Sequence, residues 1–210
     1  MKNIDLSLYL VTNRDKISDQ VFFYRIEEAL KGGVSLVQLR EKNTSTKEMI
    51  DLAKKLKNLC HAYGVYLLID DRVDVCQACD ADGVHLGSED MEIKVARKIL
   101  GPDKIIGATA KTVDVAKEKE KEGADYLGVG AIYPTKTKVK TIITKVSTLK
   151  EINDNISIPT AAIGGLNTEN LEILKGSGAA GICVVRAIMD SENPREVAKV
   201  LSRKSKEILG

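Results

Sequence analysis

The segment Ala124-Asp-Tyr-Leu-Gly-Val-Gly-Ala-Ile-Tyr-Pro-Thr-Lys-Thr-Lys138 changes character midway. Tyr126 to Val129 is a short apolar run behind a Gly-Ala-Asp turn, the pattern of a buried strand. Gly128 and Gly130 carry no side chain, so the backbone there can lie close to a neighbour or a ligand. Pro134 stops the strand. Thr135, Lys136, Thr137 and Lys138 follow: two hydroxyls and two ammonium groups in four residues, the donors and charge that a phosphate needs. A plain solvated loop has the same composition, so the reading depends on the rest of the chain.

Outward from this segment, apolar runs and helical patterns alternate in both directions. Strands are expected at 8–12, 36–39, 66–69, 83–86, 105–108, around Leu127, at 159–163 and at 181–185. Helices are expected at 19–31, from Thr44 or Ser45 to the stop at Gly64, and at 73–78, 89–100, 113–122, 147–152, 168–175 and 194–208. Most of the strands are continuous apolar runs rather than alternations, which is how strands buried on both faces of a parallel sheet read. Eight such units imply a closed (β/α)8 TIM barrel, an α/β fold, with a doubly wound open sheet as the alternative. No G-x-G-x-x-G follows the first strand, so nothing supports a dinucleotide site. No linker or low-complexity tract interrupts the chain, so one domain over residues 1–210 is expected.

Composition narrows the function. The 210 residues carry a net charge of +2 with both signs interspersed, which gives no nucleic-acid or membrane surface. Aromatic residues are 4% and Trp is absent, too few for a base-stacking platform. No run is long enough to span a membrane and no signal peptide is legible, so a cytoplasmic location is expected. Cys76 and Cys79 form a C-x-x-C, but no second pair exists and His61 and His85 are not at zinc-ligand spacing. All four cysteines read as small packed residues.

In a barrel of this kind the chemistry lies past the C-terminal ends of the strands. The second strand is followed by Gln38, Arg40 and Lys42, and the third by Asp70, Asp71 and Arg72. The fourth is followed by Glu89 and Asp90, the fifth by Thr109 and Lys111, the sixth by Thr135 to Lys138. Gly164-Gly165 follows the seventh and Arg186 the eighth. Each alone is an ordinary cap or surface charge. Together, two acidic pairs ringed by Arg and Lys are what Mg2+–pyrophosphate needs: carboxylates for the hard cation, cations for the remaining oxygens. A second, metal-free phosphate site is expected at Gly165 and Arg186, after strands seven and eight.

These motifs resemble the thiamine-phosphate synthase family. They are Val37-Gln-Leu-Arg-Glu-Lys42, Asp71-Arg-Val-Asp74, Ala81-Asp-Gly-Val-His-Leu-Gly87 with Glu89-Asp90, Gly128 to Lys138, and Ala162-Ile-Gly-Gly165. The resemblance runs from Tyr9 to Ile188. It implies a transferase that joins hydroxymethylpyrimidine pyrophosphate to a thiazole phosphate through a pyrimidine-methyl cation, with Mg2+ as cofactor and small phosphorylated molecules as partners. It implies that Gln38, Arg40, Lys42, Asp70, Thr109 and Lys138 face the pyrimidine pyrophosphate, with Arg40, Lys42 and Lys138 catalytic. Asp71 and Asp90 would hold the metal. Thr135, Thr137, Gly165, Val185 and Arg186 would hold the thiazole phosphate. Four positions depart from the family pattern: Asp70 replaces Asn, Thr109 replaces Ser, Lys111 replaces His and Arg186 replaces Ser. The alternatives are a thiazole tautomerase-like relative and a non-catalytic phosphate-ligand sensor.

Overall fold

The computed structural model describes residues 4–15, 17–135 and 142–210. Its eight strands are β1 (Leu8–Val11), β2 (Leu36–Leu39), β3 (Tyr66–Asp70), β4 (Gly83–Leu86), β5 (Ile105–Ala110), β6 (Tyr126–Gly130), β7 (Thr160–Ile163) and β8 (Gly181–Val184). They pair in sequence order, all parallel, and β8 closes on β1. The (β/α)8 barrel is therefore as expected from the sequence, and the open doubly wound sheet is excluded.

The helices are α1 (Asp19–Lys31), α2 (Thr46–Ala62), α3 (Val73–Ala78), α4 (Ile93–Leu100), α5 (Val113–Glu122), α6 (Val146–Asn153), α7 (Arg186–Met189) and α8 (Pro194–Leu209). Short polar side chains set the starts of α1, α2, α5 and α8. Ser18 accepts a hydrogen bond from Val21 N–H at the head of α1, and Ser45 and Glu48 form a reciprocal capping box on α2. Two expectations are corrected and one short helix is added. Residues 168–175 hold only a 3-10 turn, Leu171–Leu174. There the Asn170 side chain bonds Asn167 N–H and Gly165 C=O, tying that stretch into a loop. Helix α4 begins at Ile93 rather than residue 89, so Asp90 lies in a loop. Past β8 the chain turns directly into α7, a four-residue helix too short to show a period.

Alternation along the strands divides the core in two. Leu8 and Leu10 point outward to Phe22, Ile26 and the other apolar helix faces. Tyr9, Val11, Leu36, Leu68, Ile105, Tyr126, Ala161 and Cys183 fill the barrel interior. Above this apolar plug, Gln38, Asp70, His85 and Thr109 occupy the next inward positions toward the strands' C-terminal ends, as the register requires. The parallel sheet thus sets a polar layer on an apolar one and turns it toward the loops.

Candidate active site

One charged cluster stands over β2, β3 and β4. Lys42 Nζ lies 2.9 Å from Asp70 Oδ2 and also donates to Asp71 Oδ2. Arg40 Nε is 3.6 Å from the same Asp70 oxygen. The Arg40 backbone N–H donates to the buried Thr12 hydroxyl at 3.1 Å, which ties this loop to the end of β1. Asp90 Oδ2 accepts from Gly87 N–H at 2.7 Å, folding the β4 loop so that its carboxyl meets that of Asp71. Asp71 itself sits at φ 61°, a backbone conformation uncommon outside glycine. Of the two acidic pairs expected side by side at the mouth, Asp71 and Asp90 come together, with Glu89 and Asp90 both exposed.

The electrostatics follow from crowding. Burial and the Asp71 charge push Asp70 up, against the pull of Lys42 and Arg40. Burial opposes ionisation of Asp71 too, but bonds from Lys42 and Asp90 outweigh it and hold Asp71 low. Asp90 is pushed up by burial and by Asp71. Burial favours neutral Lys42, yet its bonds to Asp71 and Asp70 keep it charged. Two adjacent carboxyls whose affinities for a proton are driven apart are a pair that a cation would reunite.

Among the described residues no three His, Cys, Asp or Glu side chains converge into a ready-made metal cage. Mg2+ does not require one: it commonly takes one or two carboxylates and fills its shell with water and substrate phosphate. The hard oxygen donors of Asp71 and Asp90 fit that pattern. Cys76 and Cys79 do not form an alternative site. Both are buried free thiols, and burial pushes Cys76 up to about 12.

Behind the charged cluster lies a feature that sequence reasoning missed. Gln38 Nε2 donates to Tyr9 Oη, which is 2.9 Å from Tyr126 Oη. Tyr126 Oη is 2.9 Å from His85 Nδ1, and His85 Nε2 is 3.0 Å from Thr109 Oγ1. Burial lowers the His85 pKa to about 4, so the ring is neutral near pH 7. Of these five residues only Gln38 and Thr109 stand out in the sequence. A Tyr inside an apolar strand reads as packing.

The opposite side of the mouth is formed by the loops after β6, β7 and β8. Ile132 N–H and Tyr133 N–H donate to Ile163 C=O and Gly164 C=O, sewing the first two together. Gly164 and Gly165 have φ of 105° and 64°. A Cβ on Gly165 would lie 2.6 Å from Tyr133 Cβ, so only glycine fits there. The Gly165 N–H donates to no group among the described residues. Val185 and Arg186 enter α7 alongside, but the Arg186 guanidinium turns to Asp190, 3.6 Å away. Thr135 stands at the edge of this loop. Residues 136–141, Thr137 and Lys138 among them, lie outside the described residues.

A closed barrel with paired carboxylates and cations at its C-terminal mouth defines a class: barrel enzymes that handle phosphorylated small molecules. The comparisons sharpen it. The family model for thiamine monophosphate synthase matches residues 8–188. Thiamine-phosphate synthase 2 of Streptococcus pneumoniae is 51% identical over 204 residues, 97% of each chain. Thiamine-phosphate synthase of Methanobrevibacter smithii is 47% identical over 206 residues, 98% of each. The solved thiamine phosphate pyrophosphorylase from Pyrococcus furiosus superposes with a TM-score of 0.90 at 40% identity, covering 99% of this chain and 98% of its own. The chain belongs to the thiamine monophosphate synthase family, which makes it an enzyme of the transferase class. No helix among the described residues is long and apolar enough to cross a membrane.

Proposed function

We propose that the protein condenses hydroxymethylpyrimidine pyrophosphate with a thiazole phosphate, giving thiamine phosphate and pyrophosphate. The observation that carries this reading is the Asp71–Asp90 carboxyl pair set against Lys42 and Arg40 at the barrel mouth. The bond from the pyrimidine methylene carbon to the pyrophosphate oxygen breaks first, and its electron pair leaves with pyrophosphate. The thiazole nitrogen then supplies the pair for the new C–N bond. No nucleophilic side chain takes part, so the residues' work is to hold charge and to align two rings.

Arg40 and Lys42 bind the pyrophosphate oxygens, and each charge-assisted hydrogen bond contributes about 1.5–3 kcal/mol. Gln38 on β2 and Thr109 on β5 hold the pyrimidine. Asp71 and Asp90 hold Mg2+, which when bound neutralises charge on the leaving group. Lys138 is proposed as a third cation on that group. Thr135, Thr137 and the backbone at Gly165, Val185 and Arg186 receive the thiazole phosphate. Asp70 is the counter-ion of Lys42 and Arg40 that bound pyrophosphate displaces. One domain over residues 1–210 and a cytoplasmic location belong to the same proposal.

A tautomerase-like reading needs a basic group at the mouth. The imidazole available inside the barrel, His85, has both nitrogens engaged by Tyr126 and Thr109. A ligand sensor has no use for carboxylates beside a pyrophosphate site. The test is an assay of thiamine phosphate formation from the two substrates with and without Mg2+. Product that requires Mg2+ and falls by about a hundredfold or more in Asp71→Asn supports the reading. Absence of product with intact thiazole-phosphate binding refutes it.

A further inference from the structure

The polar chain through the barrel has a direction. A hydroxyl has one proton to give, and a neutral imidazole has one N–H. Gln38 turns its amide nitrogen to Tyr9, so Tyr9 Oη accepts there, and among the described residues its own buried proton finds an acceptor only at Tyr126 Oη. Tyr126, having accepted, donates to His85 Nδ1. The ring proton is then on Nε2 and goes to Thr109 Oγ1. Thr109 accepts from His85, which leaves its own proton to point elsewhere. Among the described residues, neither that proton nor Gln38 Oε1 has a hydrogen-bond partner.

The chain is built into the barrel. Tyr9 and Tyr126 are fully buried, and their rings meet edge to face at 5.9 Å. A Cβ on Gly107 would lie 2.1 Å from Tyr126 Cζ, so the missing side chain on β5 makes the seat for the Tyr126 ring. A Cβ on Gly128 would lie 3.2 Å from His85 Cε1. Five strands contribute one residue each: β2, β1, β6, β4 and β5. A buried polar group is costly unless each donor meets an acceptor, so the chain holds one polarity throughout.

We propose that Tyr9, Tyr126 and His85 are positioning residues that fix the polarity of the two ends, so that Gln38 presents a carbonyl acceptor and Thr109 a hydroxyl donor to the pyrimidine. This rests on the proposed function. The pyrimidine of thiamine carries an exocyclic amine, a donor, beside a ring nitrogen, an acceptor. Those two groups match the two ends. A 4-oxo pyrimidine in the same pose offers an acceptor and an N–H, the reverse, and meets two mismatches. The chain therefore acts on choice of substrate, through residues that do not touch it.

The experiment compares the amino- and oxo-pyrimidine pyrophosphates as substrates for the wild type, Tyr126→Phe and Tyr9→Phe, with thiazole phosphate KM and Tm measured in parallel. The wild type is expected to prefer the amino compound in kcat/KM by about a hundredfold or more, and each phenylalanine variant to lose about tenfold of that preference. Thiazole phosphate KM stays unchanged, which a general loosening of the barrel would not allow. Full discrimination in folded variants overturns the polarity claim alone. A wild type inert toward the amino compound overturns the proposed function and this inference with it. The wild type also offers a test that no folding defect can obscure: 15N spectra of its two histidines, His61 and His85, distinguished through His61→Gln. The Nε2–H tautomer of His85 supports the assignment, and the Nδ1–H tautomer overturns it.

Discussion

Asp70 stands at a position where the family resemblance expects Asn, and its replacement by Asn tests how the mouth is wired. Its Oδ2 lies 2.9 Å from Lys42 Nζ and 3.6 Å from Arg40 Nε. At that distance the gross attraction to Lys42 is about 6 kcal/mol for an effective dielectric near 20. The Lys42 side chain is 44% exposed, so water screens it and resolvates it once released. The net value is then about 1 kcal/mol, or roughly fivefold in an equilibrium constant. Bound pyrophosphate competes with Asp70 for both cations, so Asp70→Asn should lower the Kd for the pyrimidine pyrophosphate about fivefold. Isothermal titration with saturating Mg2+ measures this, with thiazole phosphate as the unaffected control. Stability moves in a definite direction too. The folded-state pKa of Asp70 lies above the usual 3.8, so ionising it costs stability as pH rises through that range. Asn removes the cost, and Tm at neutral pH should hold or rise. A tenfold weaker Kd would refute the reasoning and make the Asp70 carboxylate a direct partner of ligand or metal.

At the barrel's opposite end, Asp80 bonds Lys104 and Lys57, which together lower its pKa from the usual 3.8 to about 2. The carboxylate therefore adds stability above about pH 4 that is lost as pH falls toward about 2. The Asp80 side chain is 75% exposed, so Asp80→Asn should cost only about 0.5–1 kcal/mol at neutral pH and nothing measurable at pH near 2, read by thermal melts. In the proposed thiazole-phosphate site, Arg186→Ala should leave KM for thiazole phosphate within about twofold, because the guanidinium is turned to Asp190. Gly165→Ala forces a Cβ against Tyr133 and should raise that KM by about tenfold or more in the same steady-state assay.

The strands are legible because most are apolar runs closed by Gly, Pro or a charged turn, and that pattern depends only on local sequence. Helix starts were legible where a Ser caps them, as Ser18 and Ser45 do. The start of α4 was misplaced for an equally local reason. Asp90 spends its carboxyl on Gly87 N–H, which makes a loop of residues that otherwise read as a first helical turn. The charged half of the site was legible because Asp, Arg and Lys past strand ends stand out one by one. The polar chain was not, because its bonds join β1 to β2 and β6, and β4 to β5 and β6. Such pairings depend on barrel closure and register. Only the structure shows that Tyr9 and Tyr126, alone among neighbouring apolar residues, aim their hydroxyls at one another.

The two halves of the mouth differ in how they meet charge, and under the proposed function the difference would confine a metal to one side. On the β2–β4 side, three carboxylates, Asp70, Asp71 and Asp90, face two cations, Arg40 and Lys42. That excess of negative charge repels a pyrophosphate until something offsets it. Asp71 and Asp90 would hold a divalent cation whose charge would offset this excess, and Lys42 would then be free to bind phosphate rather than serve as a counter-ion for Asp71. On the β7–β8 side the polar groups are backbone amides and hydroxyls, and Arg186 is already paired with Asp190. A monophosphate there needs only N–H donors in a turn that glycine allows. The metal requirement of the proposed reaction therefore belongs to the pyrophosphate half, and thiazole phosphate binding should be indifferent to it.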